Sequence, residues 1–320
     1  MVLRLGVVSF LNARPLIEGL RGRTDVACVF DVPAALPGRL ERGEVDVALV
    51  PLIDVLRDAG RYEIVSDACI ASDGETRTVR VFSQVPPARV RELCVDGDSH
   101  TSVALARVLW RERYDCELAL HGLTGPQNAR RQPACQNARR QQACQNAQRQ
   151  PACQNAQREQ GSGAEALGGA APSDNGAPPP EAVLLIGDKV VAPRARTYAH
   201  EVDLGAAWRE HTGLPFVFAV WARLRRTHVP LAGDREDTAE LLSAARDRGE
   251  LRAAEIARDE GPGLGWPVDL ARDYLTRCMK YRLDARARAG AWRFAASCME
   301  AGLAPPGAAL DWPATAEAPA

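Results

Sequence analysis

Apolar positions along the chain gather into short unbroken runs separated by polar turns. Strand-like runs cover 3–10, 26–32, 45–50, 62–70, 79–83, 93–96, 117–120, 183–186 and 216–221. Between several of them the spacing becomes helical, over 15–20, 36–42, 52–59 and 102–113. Strands apolar on both faces that alternate with helices predict a parallel sheet covered on both sides. Beyond Trp221 the pattern is helical throughout, over 237–258, 267–280 and 284–301. Leu241, Leu242 and Ala245 recur there at helical spacing, as do Trp292, Phe294, Ala295 and Met299. The predicted class is α/β with a helical C-terminal section.

Two stretches predict that the chain crosses between lobes. "VRVFSQVPPARVREL" reads as a strand leaving one lobe before a Pro-Pro break, and "LPFVFAVWARL" as the strand returning. Lobe one is then discontinuous, 1–83 and 222–320, and lobe two is 84–221. Ligand sites in such a cleft collect at strand C-termini and helix N-termini.

One segment breaks the pattern. From Gln127 a nine-residue unit repeats four times, QNARRQPAC, QNARRQQAC, QNAQRQPAC, QNAQREQGS, and a Gly/Ala/Pro-rich stretch follows to about Pro180. Each unit offers only Ala and at most one Cys for burial, too little to offset ~1–2 kcal/mol per ordered residue. The expectation is a low-complexity insert in a surface loop, at about 125–180, tolerated because loop closure costs rise slowly with length. A basic interaction tail is the other reading.

Charge and cysteine content narrow the partners. The formal net charge of the 320 residues is -1. Six Arg and one Glu put +5 in the repeat, which leaves -6 on the rest of the chain. Nothing here predicts a nucleic-acid partner. No apolar run approaches the ~20 residues of a membrane span, and Arg4 interrupts the first apolar stretch as no signal peptide would. A cytoplasmic protein is the expectation. The nine cysteines show no C-x-x-C and no His/Cys ligand spacing, so neither disulfides nor a metal are predicted. Cys28, Cys69 and Cys94 fall in strand-like runs, and Cys116, Cys278 and Cys298 read as packing.

The candidate chemistry begins at "VVSFLNARPL". A buried strand runs straight into an amide, an arginine and a proline, with no glycine-rich phosphate loop. This junction offers Ser9, Asn12 and Arg14. Asn12 is either a helix N-cap or a neutral donor for a carboxylate or a departing hydroxyl. Arg14 is the candidate for charge pairing, or it faces solvent. In "DGDSHTSVALARVLW", Ser99, Thr101 and Ser102 stand before an apolar helix, as caps or as hydroxyls that hold a carboxylate with the helix N–H groups. Ser72 in "IASDG" ends a strand, in an ordinary turn or at a site. Asp188 after "LLIG" either caps the segment after it or bonds a substrate hydroxyl. His100 reads as a cap-region histidine, and "GPGLGW" at 261–266 as a helix–helix turn.

Six blocks together, "SFLNARPL", "GEVDVALVPL", "IASDG", "DGDSHTSVALARVLW", "LLIGD" and "LGAAWREHTGLPFVFAVWA", resemble the chorismate dehydratases of the futalosine route to menaquinone. The blocks fall in the family's order and cover the chain except about 125–180, where the repeat is a departure. The resemblance implies a two-lobed type II periplasmic-binding-protein-like fold with a ligand cleft between the lobes. It implies a hydro-lyase that takes chorismate to 3-[(1-carboxyvinyl)oxy]benzoate with no metal and no cofactor. Asn12 is then the catalytic candidate, and Ser9, Arg14, Ser72, Ser99, Thr101, Ser102 and Asp188 are the substrate-binding candidates. Two other functions fit the same fold: a non-catalytic binding protein for a small carboxylate, and dihydroxynaphthoate synthase of the same pathway.

Overall fold

Two mixed β-sheets carry the chain, and a computed structural model describes residues 2–123, 180–191, 197–225 and 235–313. The nine-residue repeat lies outside the described residues. The first sheet has the order β11-β4-β10-β3-β1-β2 and the second β7-β6-β8-β5-β9.

In the first sheet β1 (Leu3–Val8) lies parallel between β2 (Val26–Asp31) and β3 (Val47–Pro51). Only this half is parallel. β10 (Phe216–Leu224) runs antiparallel to both β3 and β4 (Tyr62–Ser72), and β11 (Met279–Arg282) pairs antiparallel to β4 at the edge. A strand buried on both faces reads as an unbroken apolar run whichever way its neighbours point, so sequence does not reveal this direction. β11 was hidden for a different reason. Its Met279 and Tyr281 are buried while Lys280 and Arg282 face out, a period of two over four residues inside a stretch that reads as helix.

The second sheet holds β5 (Val79–Ser83), β6 (Glu92–Val95), β7 (Ala119–Gly122), β8 (Ala182–Ile186) and β9 (His200–Asp203). All of β5 pairs with β8 and β9, and all of β10 belongs to the first sheet. By sheet membership the chain therefore changes over at 73–78 and at 204–215, ahead of the expected 83/84 and 221/222.

Helices cover the sheets: α1 (Leu36–Glu41), α2 (Leu52–Arg57), α3 (His100–Tyr114), α4 (Leu204–Thr212), α5 (Arg235–Leu251), α6 (Ala253–Glu260), α7 (Val268–Asp273) and α8 (Ala285–Glu300). The helix expected at 15–20 is instead a pair of 3-10 turns, Leu11–Ala13 and Pro15–Ile17. Gly19, at φ 74°, closes the segment before a full helix can build. The stretch 237–258 is broken at Arg252 into α5 and α6. After α7 a π-helical turn, Tyr274–Cys278, leads into β11. The core is continuous from the first sheet to α3, α4 and α8, with Phe216 edge-on to Trp208 at 5.3 Å and to Phe294 at 4.9 Å.

Candidate functional site

A cleft opens where the C-terminal ends of the three parallel strands meet the second sheet. Val8 ends β1, Pro33 follows β2 and Pro51 ends β3, and all three line it. This is the edge at which open α/β sheets hold ligands. Phe10, Asn12, Ile70, Phe218, Ala219 and Met279 line the same side. Thr76, Thr78, Val79, Ser99, Ser102, Ile186 and Gly187 face them. Phe218 arrives there through a β-bulge: Val217 pairs with Ala71 and Ala219 with Ile70, so Phe218 is the extra residue that the bulge re-aims.

The polar groups of the cleft are neutral. Among the described residues, no side chain lining it is ionisable. Asn12 sits inside the 3-10 turn Leu11–Ala13, whose N-cap is Phe10, so Asn12 is not its cap. Its Oδ1 is buried without a hydrogen-bond partner. Tyr274 is fully buried, lies 2.9 Å from Thr78 Oγ1, and has its phenol pushed far up by burial.

Ser99 and Ser102 form the start of α3. Ser99 is its N-cap, accepting the Ser102 N–H at 3.2 Å and donating to Ser102 Oγ at 2.9 Å. Capping and cleft-lining are thus the same act. The N–H groups of His100 and Thr101 are left as helix-end donors beside the two hydroxyls.

The other sequence candidates lie around the cleft without lining it. Thr101 is wholly buried and its Oγ1 accepts the Ile53 N–H at 3.3 Å, in the first turn of α2. Ser9 bonds through its backbone, N–H to the Asp31 carbonyl and carbonyl from Arg14 Nη2 at 3.2 Å. Arg14 is buried behind the cleft with its guanidinium over the Phe30 ring at 4.6 Å and its Nε 3.4 Å from Glu260. Burial lowers its pKa. The hydroxyl of Ser72 is buried without a partner at the end of β4. His100 pairs with Asp54 at 2.7 Å, half-exposed.

Asp188 joins the two sides. Its Oδ1 accepts the backbone N–H of Leu11 at 3.2 Å and the indole N–H of Trp266 at 2.9 Å. Burial pushes its carboxyl up to about 6. Trp266 in turn stacks on Tyr274, centroids 4.7 Å apart at 16°. The adjoining Gly187, at φ 64°, is packed so closely that a Cβ there would stand 2.6 Å from the Phe10 ring.

A second hub, unforeseen from sequence, sets Thr76 and Thr78. Asp203 accepts the N–H of Thr76, Arg77, Gly205 and Ala206 and the hydroxyl of Thr76, at 2.7–3.1 Å. Arg77 sits at φ 58°, a left-handed conformation that this clamp holds. Phe218, Tyr274 and Trp266 were equally invisible as site residues. Trp266 closes "GPGLGW", a stretch that local rules read only as a turn between helices, which it also is. Among the described residues there is no group of three or more His, Cys, Asp or Glu that can hold a metal ion, and no helix long and apolar enough to cross a membrane.

The chain matches the menaquinone biosynthesis family over residues 3–130 and 172–300. The unmatched stretch between them, 131–171, covers most of the repeat and part of the Gly/Ala/Pro-rich stretch after it. The chain is 26% identical to the chorismate dehydratase of Thermus thermophilus over 312 residues, 91% of this chain and 93% of that one. Solved structures share the fold. A protein from Archaeoglobus fulgidus, 13% identical, superposes with a TM-score of 0.61 over 94% of this chain and 98% of its own. A Candida albicans protein described as having the generic periplasmic binding protein fold, 10% identical, gives 0.55 over 96% and 92%. The α/β, periplasmic-binding-protein-like architecture expected from the sequence is the one present.

Proposed function

We propose, from the premise that this chain belongs to the menaquinone biosynthesis family, that it removes water from chorismate to give 3-[(1-carboxyvinyl)oxy]benzoate. In this elimination the C3–H and C4–O bonds break. The C–H electron pair becomes the third double bond of the ring, hydroxide departs from C4, and the proton completes the water. The aromatic ring formed supplies much of the driving force. What remains for the protein is to hold two carboxylates and align the two breaking bonds, work of proximity and fixed dipoles.

One observation carries the reading: the cleft between the sheets offers amide, hydroxyl and helix-end donors and, among the described residues, no ionisable side chain. A dianionic ligand meets no repelling carboxylate there. The start of α3, with Ser99 and Ser102, is the place for one carboxylate. Asn12, at the end of β1, is the group we assign to the reacting centre. With no ionisable side chain among the described residues that line the cleft, a carboxylate of the substrate itself takes the C3 proton. A pH–rate profile governed by a cleft-lining protein base with pKa near 7 would count against that assignment.

The test is incubation of the purified protein with chorismate, followed by absorbance and mass. A product lighter by one water, with an aromatic spectrum, is expected. Chorismate that binds and is recovered unchanged would make this a binding protein for small carboxylates instead.

A further inference from the structure

We infer that Arg14 is a positioning residue: its side chain folds back over the turn that carries Asn12 and sets where that amide stands in the cleft. The inference rests on the reading of the cleft as the chorismate site, with Asn12 at the reacting centre.

The turn is short and its own bonds are few. Ala13 N–H donates to the Phe10 carbonyl at 3.2 Å and Arg14 N–H to the Leu11 carbonyl at 3.1 Å. A 3-10 turn of this length bonds with poor geometry and depends on what packs against it. The Arg14 side chain adds the bond that spans the whole turn, Nη2 to the Ser9 carbonyl at 3.2 Å. Ser9 is itself tied to the end of β2, its N–H donating to the Asp31 carbonyl at 2.9 Å. The chain from Ser9 to Arg14 is thus closed into a loop, and Asn12 stands within it.

The guanidinium that closes the loop is fixed in turn. It lies over the ring of Phe30 in β2 at 4.6 Å, and its Nε stands 3.4 Å from the Glu260 carboxylate at the end of α6. The side chain is only 4% exposed. Asp188 holds Leu11 of the same turn from the second sheet, so the turn is gripped from both sides.

Stability does not account for a charge in this place. Nε and Nη1 are buried with no hydrogen-bond partner among the described residues. Buried ion pairs are often no better for stability than apolar side chains of the same volume. Nor does Glu260 depend on Arg14, since it also pairs with Arg21. The arginine does not line the cleft, so it has no ligand to meet there. What it supplies is a donor for the Ser9 carbonyl on a flat group wedged between a ring and a carboxylate.

The experiment is a double-mutant cycle on chorismate turnover, with Arg14→Met, Asn12→Ala and the two combined. Methionine keeps an apolar contact with Phe30 and gives up the donor. The expected kcat of Arg14→Met is lower by about 10- to 100-fold, the scale of a misplaced group near the reacting centre. Affinity for the aromatic product, which lacks the departing hydroxyl, should stay within about threefold, which puts the loss in the chemical step. The combined variant decides the role. If Arg14 acts through Asn12, it has nothing to position once the amide is gone, and the pair should turn over within about threefold of Asn12→Ala alone. An arginine that merely supports the fold would lower kcat by the same factor in both backgrounds. Arg14→Lys takes the place of Arg14→Met in the cycle if the methionine variant does not fold. It keeps the charge beside Glu260 but not the flat stack on Phe30, and the same pattern is expected with a loss of roughly 5- to 10-fold. Wild-type kcat in the arginine variant used, or losses that multiply in the pair, would overturn the inference. A wild-type protein that leaves chorismate unchanged would instead remove the reading on which it rests.

Discussion

Asp188 accepts the backbone N–H of Leu11 at 3.2 Å, so a residue at the end of β8 in one sheet holds the turn that presents Asn12 at the end of β1 in the other. The same oxygen holds Trp266 and, through its stacking, the ring of Tyr274. A carboxylate read from sequence as a ligand contact is thus spent on protein donors behind the cleft.

The stability of the protein should carry the imprint of that burial. The Asp188 carboxyl lies at about 6 in the folded protein against an ordinary 3.8. Below the ordinary value it is protonated folded and unfolded alike. Between the two values the unfolded chain releases the proton and the folded protein keeps it, so stability falls as pH rises through that window. The loss is on the order of 1–3 kcal/mol. Asp188→Asn keeps an acceptor oxygen for Leu11 and Trp266 and does not titrate. Its thermal midpoint should gain on wild type between pH 4 and 7 (an interval chosen to bracket roughly the two pKa values). A difference that stays flat with pH would show that the carboxyl is not raised.

Asn12→Asp tests the reacting centre. Because Asn12 caps no helix, the substitution removes no cap, but it sets a charge beside a dianionic substrate. We expect a folded protein with turnover reduced at least ~100-fold, the order associated with one preorganised polar group. Wild-type turnover in this variant would take Asn12 out of the site.

Asp203→Ala should destabilise strongly. Four backbone N–H groups and the Thr76 hydroxyl lose their acceptor, the α4 helix loses its N-cap, and the left-handed Arg77 loses its clamp. A cap alone contributes ~1 kcal/mol and each unsatisfied buried donor costs ~1–3 kcal/mol, so a loss of roughly 3 kcal/mol is expected in denaturant unfolding. A loss under about 1 kcal/mol would mean that the crossover segment is set by packing instead.

Replacing 127–178 should leave the protein folded and active. β7 and β8 both lie parallel to β6, one on each side, so the link between them is a crossover and needs about a dozen residues. A Gly/Ser linker of that length supplies it. Thermal midpoint and turnover should match the full chain, since added loop length costs little. A clearly lower midpoint would mean that the repeat packs on the body.

What the sequence determined by itself is what short-range physics writes into it. Burial and period place β1, β3, β5, β8 and β10 close to their true bounds, and the Ser99 cap is legible because a capping hydroxyl and its helix are neighbours in the chain. The end of β1 stood out because an amide, an arginine and a proline interrupt an apolar run. Tertiary structure decided the rest. It set strand direction in the first sheet, because burial on both faces looks the same in parallel and antiparallel neighbours. It turned Thr101 toward α2 and left Ser102, one residue on, in the cleft, because successive helical positions point about 100° apart. Phe218 is one apolar residue among many until a bulge re-aims it. The hydrogen bond between Thr78 and Tyr274 joins segments 196 residues apart, and that between Leu11 and Asp188 segments 177 apart. No local rule relates such residues, because these bonds exist only once the distant segments have met.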